Sequence, residues 1–264
     1  MTSTPWLVGL TENPGATVNL ICFGSAGSGG SQFRRWNQLA PPWLRIIGVQ
    51  LPGREERYRE VTLRDGAAIT RGVVTALEDV PPGTFAFLGH SFGALLAFEV
   101  ARRLRAQRLP GPVWLCAVSR AAPHLPLAHR KIYHLPDAEF IDVLRRYGGI
   151  DDRILVEPEL LRFFLPGIRA DLEINTEYLY QAEAPLAVPI TAVRGIDDPL
   201  CSAEELRAWR AQTDGGFAMH ECNGAHFFYR DSQHHLIATA GHALAPYAAT
   251  ANDEHPALPA RPRL

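Results

Sequence analysis

Short apolar runs alternate with longer amphipathic stretches along most of the chain, and that alternation predicts an α/β fold. Thr17 to Phe23 predicts a strand, and a glycine-rich loop, Gly24 to Gly30, follows it. Leu44 to Leu51 is a second apolar run, stopped by Pro52-Gly53. Asp65 to Val80 predicts a helix closed by Pro81-Pro82-Gly83. Thr84 to Leu88 has the continuous apolar character of a strand buried on both faces. From Ala94 to Arg108 the pattern is helical. Its apolar positions Leu95, Leu96, Phe98, Val100 and Ala101 precede a basic end at Arg102, Arg103, Arg105 and Arg108, which suits the negative end of the helix dipole. Val113 to Val118, Val188 to Val193 and Phe217 to Glu221 predict three further strands, and Phe228 to Tyr247 contains a closing helix.

Such an order favours a mostly parallel sheet with helices on both faces. Residues 126–180 break it. They predict helices at Asp137 to Tyr147 and Pro158 to Tyr178 and no strand, which reads as a helical lid inserted into a single domain. The first residues and the tail from Ala249 to Leu264, with Pro256, Pro259 and Pro262, predict frayed ends.

Composition narrows the function classes. Of 264 residues 47% are hydrophobic and 20% charged, which is ample for a core. A net charge of -2 argues against a nucleic-acid partner. No run approaches the ~20 apolar residues of a membrane span, and Met1 to Leu10 lacks the features of a secretory signal. Of the four cysteines, Cys22, Cys116 and Cys222 lie in or beside apolar runs and read as buried thiols. Cys201 completes the set, and with no Cys-x-x-Cys pair neither a zinc site nor any other metal is expected. A cytoplasmic location is the expectation.

The strongest local signal is Gly89-His90-Ser91-Phe92-Gly93. Gly-x-Ser-x-Gly between a strand and a helix forces the serine onto a sharp turn, with its hydroxyl above the sheet edge. A serine hydroxyl needs a base, and the base an orienting acid. With such an elbow the chain order is serine, acid, histidine. Ten histidines are present. His220 falls within the last predicted strand and reads as a packed side chain. His234, His235, His242 and His255 read as solvated or as part of the closing segments, and His124, His129 and His134 belong to the lid region. His90, beside the nucleophile, points elsewhere on the turn. His226, in the loop Asn223 to Phe228 after the last strand, is the expected base. The acid falls in Gly195-Ile196-Asp197-Asp198-Pro199, with Asp198 preferred over a turn-capping Asp197. The oxyanion needs two backbone N–H donors. One is Phe92; the other is Ala26 in the glycine-rich loop, with Ser25 as competitor. That loop has neither a Gly-Lys-Ser/Thr ending nor a third glycine at position 32, which argues against phosphate binding.

With these residues placed, the chain resembles the type II thioesterases, discrete α/β-hydrolases that accompany polyketide synthases and nonribosomal peptide synthetases. The resemblance runs over most of the chain. It rests on Cys22 to Gly27, where Gly24-Ser25 replaces the family's usual Pro-His, and on Val49 to Arg54 with Arg57. Gly89 to Gly93, Leu135-Pro136-Asp137, Ala170-Asp171, Gly195 to Pro199 and Gly224 to Phe228 complete it. Thioesterases fused to polyketide synthase termini usually carry their acid after the strand that follows the elbow helix. Here that strand ends in Ser119-Arg120-Ala121, without an acid.

The resemblance implies hydrolysis of acyl thioesters on the phosphopantetheine arm of acyl carrier proteins, clearing stalled or aberrant acyl groups, by a monomer that needs no cofactor. Phe163, Phe164 and Ile168 are the expected substrate-binding residues of the lid. Arg34, Arg35, Arg54 and Arg57 could form a basic rim for an acidic carrier, although a solvated face is the better reading for each. Two other classes compete. One is a carboxylester hydrolase or acyltransferase with the same triad, and the other is a non-catalytic scaffold, against which the intact triad argues.

Overall fold

The computed structural model describes residues 5–127, 131–150 and 157–250. A seven-stranded sheet runs through the centre in the order β1-β3-β2-β4-β5-β6-β7. The strands are β1 (Leu7–Val8), β2 (Val18–Phe23), β3 (Leu44–Val49), β4 (Thr84–His90), β5 (Leu115–Val118), β6 (Ile190–Gly195) and β7 (Phe217–Cys222). All neighbours pair in parallel except β1, which runs antiparallel to β3 along the edge. The ends were expected to fray, yet Leu7 pairs with Val49 and Val8 with Gly48. Two residues are too short a run to show a period.

The strand interiors follow the two-residue alternation of side chains. In β2, Ile21 and Phe23 join the core on one face of the sheet, and Val18, Leu20 and Cys22 the core on the other. In β4, Phe85 and Phe87 pair off against Ala86 and Leu88 in the same way. Both faces are therefore apolar, and helices cover both. Among the described residues the α-helices are α1 (Gly66–Ala76), α2 (Phe92–Ala106), α3 (Asp137–Arg146), α4 (Pro158–Thr176), α5 (Ala203–Arg207) and α6 (Gln233–Thr250). Asp65 caps α1 by accepting from the Ala67 N–H. Ser202 and Glu205 form a reciprocal capping box at the start of α5.

Helices α3 and α4 lie between β5 and β6, where helical segments were expected. They carry a small core of their own, which includes Leu135, Phe140, Leu144, Leu161, Leu165 and Ile168. Residues 128–130, with His129, and 251–264, with most of the expected frayed tail and His255, fall outside the described residues. Ala249 and Thr250, also expected to fray, belong to α6.

Candidate active site

Because β2 to β7 run parallel, their C-terminal ends gather at one edge of the sheet, and the loops leaving that edge bring the chemistry together. Ser91 follows β4. Its φ of 55° and ψ of −116° mark a strained turn, and its N–H donates to Val118 O at 2.8 Å. The two glycines of the elbow are required by close approach. A Cβ on Gly89 would lie 2.3 Å from Gly93 O, and one on Gly93 would lie 2.2 Å from Phe23 O. Phe92 opens α2, so its N–H has no acceptor within the helix.

After β6, the Asp198 carboxylate is fully buried, and after β7 His226 is 4% exposed. His226 Nδ1 lies 3.0 Å from both Asp198 carboxylate oxygens. The Leu200 N–H donates to Asp198 Oδ1 at 2.9 Å. Burial alone would raise the Asp198 pKa. The His226 hydrogen bond and charge, with smaller help from the Leu200 N–H and Ser119, outweigh it and hold the carboxyl below its ordinary value. Asp197 is exposed; its backbone N–H donates to Gly224 O at 3.0 Å, tying the acid turn to the histidine loop. Arg194 of β6 braces the same turn from below, donating to the carbonyls of Ile196 and Cys201.

His90 has a larger part than its sequence position suggested. It is buried, and its Nε2 donates to the His226 carbonyl at 2.8 Å. Its ring lies 5.0 Å from the His226 ring and 4.6 Å from that of Tyr229. Burial, reinforced by the neighbouring His226, lowers its pKa to about 3, so it stays neutral and holds the His226 backbone without competing for protons. The other expected histidine positions divide. His234 and His235 are exposed, as read from the polar pattern, and so is His242 of the closing helix. His220 was expected to pack but is exposed on β7, because β7 is an edge strand with little cover.

The glycine-rich loop after β2 brings Ser25 and Ala26 to a cavity of about 110 Å³ that also contains Ser91 and His226. The loop is clamped from two sides. Asp171 of α4, fully buried, accepts from the Gly27 N–H at 2.7 Å and from both terminal nitrogens of Arg54, at 2.6 and 3.0 Å. Arg54 also donates to Ser28 O. Gly27 has a φ of +79°, and a Cβ there would lie 2.3 Å from Ile168 Cγ1. The helical insertion therefore rests directly on the loop that carries Ala26.

This clamp corrects one sequence expectation. Arg54 and Arg57 were read as a possible rim or a solvated face, yet they are 4% and 6% exposed. Arg57 is held by Glu60 and Gln50 O, with its guanidinium over the Trp6 ring. Arg34 and Arg35 are exposed. Of the three expected substrate-binding residues, Ile168 lines the cavity and Phe163 and Phe164 do not. Phe163 is 44% exposed and packs on Tyr58, with ring centroids 5.9 Å apart, on the outer side of α4. Phe164 packs within the core of the insertion. Helical spacing places Phe164 and Ile168 on related faces but does not show which of them reaches over the elbow.

Known proteins match this architecture and spacing. Residues 18–244 fit the thioesterase domain family. The gramicidin S biosynthesis protein GrsT of Aneurinibacillus migulanus is 37% identical over 88% of this chain and 91% of its own. Thioesterase PikA5 of Streptomyces venezuelae is 35% identical over 89% and 87%. The solved structure of BorB, described as the type II thioesterase of the borrelidin biosynthetic cluster, superposes with a TM-score of 0.84 at 29% identity, over 92% of this chain and 99% of that one. The chain belongs to the thioesterase domain family, as a type II thioesterase of α/β-hydrolase fold. Among the described residues no helix is long and apolar enough to cross a membrane.

Proposed function

We propose that Ser91, His226 and Asp198 form the catalytic triad of a hydrolase that cleaves acyl thioesters from the phosphopantetheine arm of acyl carrier proteins. The reading is carried by the buried His226–Asp198 contact, which shares its cavity with the strained Ser91. His226 takes the Ser91 proton as Oγ attacks the thioester carbonyl, and Asp198 holds the imidazole in the tautomer that exposes Nε2. The Phe92 and Ala26 N–H groups receive the developing oxyanion. The carbon–sulfur bond breaks, His226 returns the proton to the leaving thiol, and a water activated by His226 then releases the free acid and restores Ser91. Every proton in the cycle moves through His226.

In this reading α3 and α4 are the lid of a single-domain enzyme that acts as a monomer in the cytoplasm. Its task is to clear stalled or aberrant acyl groups from carriers in polyketide or nonribosomal peptide assembly. The four free, buried cysteines are in keeping with a reducing compartment.

The direct test is mass spectrometry of a panel of acylated carrier proteins after incubation with the enzyme. Release of free acid by the wild type, and none by Ser91→Ala, is the expected result. Hydrolysis of matched simple esters with every carrier thioester left intact would overturn the reading.

A further inference from the structure

Two buried polar side chains that line the cavity of Ser91 and His226 have no part in the chemistry above, and they are of opposite kinds. Arg120, two residues beyond β5, is 5% exposed. Among the described residues none forms an ion pair or a hydrogen bond with its guanidinium, and its Nε is buried without a partner. Burial draws the Arg120 pKa down to about 10, against smaller upward effects of Cys201 and Tyr178. The group therefore stays a cation at neutral pH and can only donate. Asn175 of α4 is 9% exposed, and its buried Oδ1, an acceptor, has no donor among the described residues. Folds rarely bury an unpaired donor or acceptor, because the lost hydration is not recovered.

These two needs select a ligand. A carboxylate would pair with the guanidinium but turn a second acceptor towards Asn175 Oδ1, and a saturated chain would serve neither group. A secondary amide meets both, with a carbonyl for the cation and an N–H for the Asn175 oxygen. In a trans amide the two point to opposite sides of the chain. Arg120 and Asn175 likewise reach the cavity from different walls, one from the sheet edge and the other from the helical insertion.

Their position says which amide. Val118 at the end of β5 pairs with His90 at the end of β4, and the Ser91 N–H donates to Val118 O. Arg120 therefore leaves the strand end next to the nucleophile, on strands about 4.8 Å apart. Thr176, which follows Asn175, and Leu127 line this cavity and also a cleft of about 470 Å³ that includes Tyr178 and Leu179. Leu179 is 79% exposed, so the cleft reaches the surface, and Tyr178 is one of the groups that act on the Arg120 charge. Ile168 and Leu144 form an apolar wall of the cavity that the cleft does not share. The polar pair thus stands beside the way in from the surface, and the apolar wall is left for the acyl group.

We propose that Arg120 and Asn175 bind the amide of the pantetheine arm that lies two carbons beyond the thioester sulfur. Arg120 donates to its carbonyl, and Asn175 Oδ1 accepts from its N–H. The inference rests on the reading of Ser91 as the nucleophile towards carrier thioesters, and it assigns the leaving arm to this side of the cavity. The arm is common to all acylated carriers. A subsite that reads it leaves the acyl group unread, which suits an enzyme that clears varied acyl groups.

The test uses three butyryl thioesters that differ in the leaving thiol. One is that of N-acetylcysteamine, which carries the amide. The second is that of O-acetyl-2-mercaptoethanol, which keeps the carbonyl and lacks the N–H, and the third is that of pentanethiol, which lacks both. In the wild type kcat/KM is expected to fall about tenfold at each step. Asn175→Leu should erase the first step and keep the second, and Arg120→Met should erase the second and keep the first. Thiol acidity also changes along the series, so the ratios in the variants decide. Each variant is read by itself, and one that fails to fold leaves the other to settle the matter. Equal rates on all three thioesters in the wild type, or variants that lower all three in parallel, would overturn the proposal.

Two further measurements separate the sources of the amide and the two readings. N-acetylglycyl and pentanoyl thioesters of pentanethiol move the amide to the acyl side. A preference for N-acetylglycyl that both variants abolish would overturn the assignment to the arm. Mass spectrometry of butyryl-carrier protein reads carrier cleavage on its own. Cleavage without the amide-dependent steps refutes the subsite and leaves the carrier reading intact, whereas the steps without cleavage support the subsite and refute the carrier reading.

Discussion

Two neighbouring aspartates after β6 meet opposite fates. Asp198 is buried against His226, and Asp197 projects into solvent and contributes only its backbone N–H. Asp198→Asn should therefore lower kcat by about 10³–10⁴, since an amide favours the wrong imidazole tautomer, whereas Asp197→Asn should stay within about twofold. Steady-state kinetics on one acyl thioester decide between them. His90 carries a different prediction. Its folded pKa of about 3 lies well below the ordinary histidine value of 6.5. Between those two values the unfolded chain binds a proton that the folded chain refuses, so this group's contribution to stability is whole above pH 6.5 and declines as the pH falls towards 3. The slope is about 1.4 kcal/mol per pH unit. Urea unfolding at a series of pH values should show that slope, and His90→Gln should show a shallower one.

At the scale of elements, one buried carboxylate ties the insertion to two loops of the sheet edge. Asp171 reaches from α4 to Arg54 after β3 and to Gly27 after β2, three segments that are distant in sequence. Breaking a buried pair leaves an uncompensated charge, at about 3–5 kcal/mol. Asp171→Asn should therefore destabilise the protein by that order and lower kcat more than it raises KM, because the loop that bears Ala26 loses its anchor. Arg54→Met added to Asp171→Asn should recover part of the stability without recovering kcat. Denaturation midpoints and single-turnover rates read the two effects separately. This contact also marks where sequence reading stops. Arg54 sits in a charged run, Arg54-Glu55-Glu56-Arg57, that looks solvated, and nothing local reveals that its partner lies 117 positions away. The elbow was legible because its signal is local: strand, strained turn and helix within a few residues, with glycines required by backbone contact. The meeting of Asp198 and His226 was legible because each follows a predicted strand whose end had to face the same edge. Phe163 and Phe164 were misplaced for the opposite reason. Their apolarity is local, but the rotation of α4 about its axis is set by Ile168 against Gly27 and by Asp171, which only the assembled fold shows.

For the whole molecule, the alternation of apolar runs identified the sheet and its parallel sense well, and among the described residues it missed the two-residue edge strand β1. The four thiols give a global readout. Cys22, Cys116 and Cys201 are essentially inaccessible and Cys222 nearly so, and burial pushes the pKa of each thiol upward. Native protein should react slowly with a thiol reagent, and denaturant should expose all four in one transition. Rapid labelling of Cys22 or Cys116 under native conditions would show that the sheet opens locally.

The bond from Asp171 to the Gly27 N–H bears on protein engineering. Specificity in such a fold invites domain shuffling, in which the segment between β5 and β6 is exchanged for that of a relative. Here the exchanged piece would carry one half of a lock whose other half stays in the recipient, at Arg54 and Gly27. Chimaeras that keep an aspartate at the position of Asp171 and a branched side chain of the size of Ile168 should turn over. Those that change either should fold with the right pocket and the wrong rate, so crossover points belong outside this pair rather than at the visible ends of the insertion.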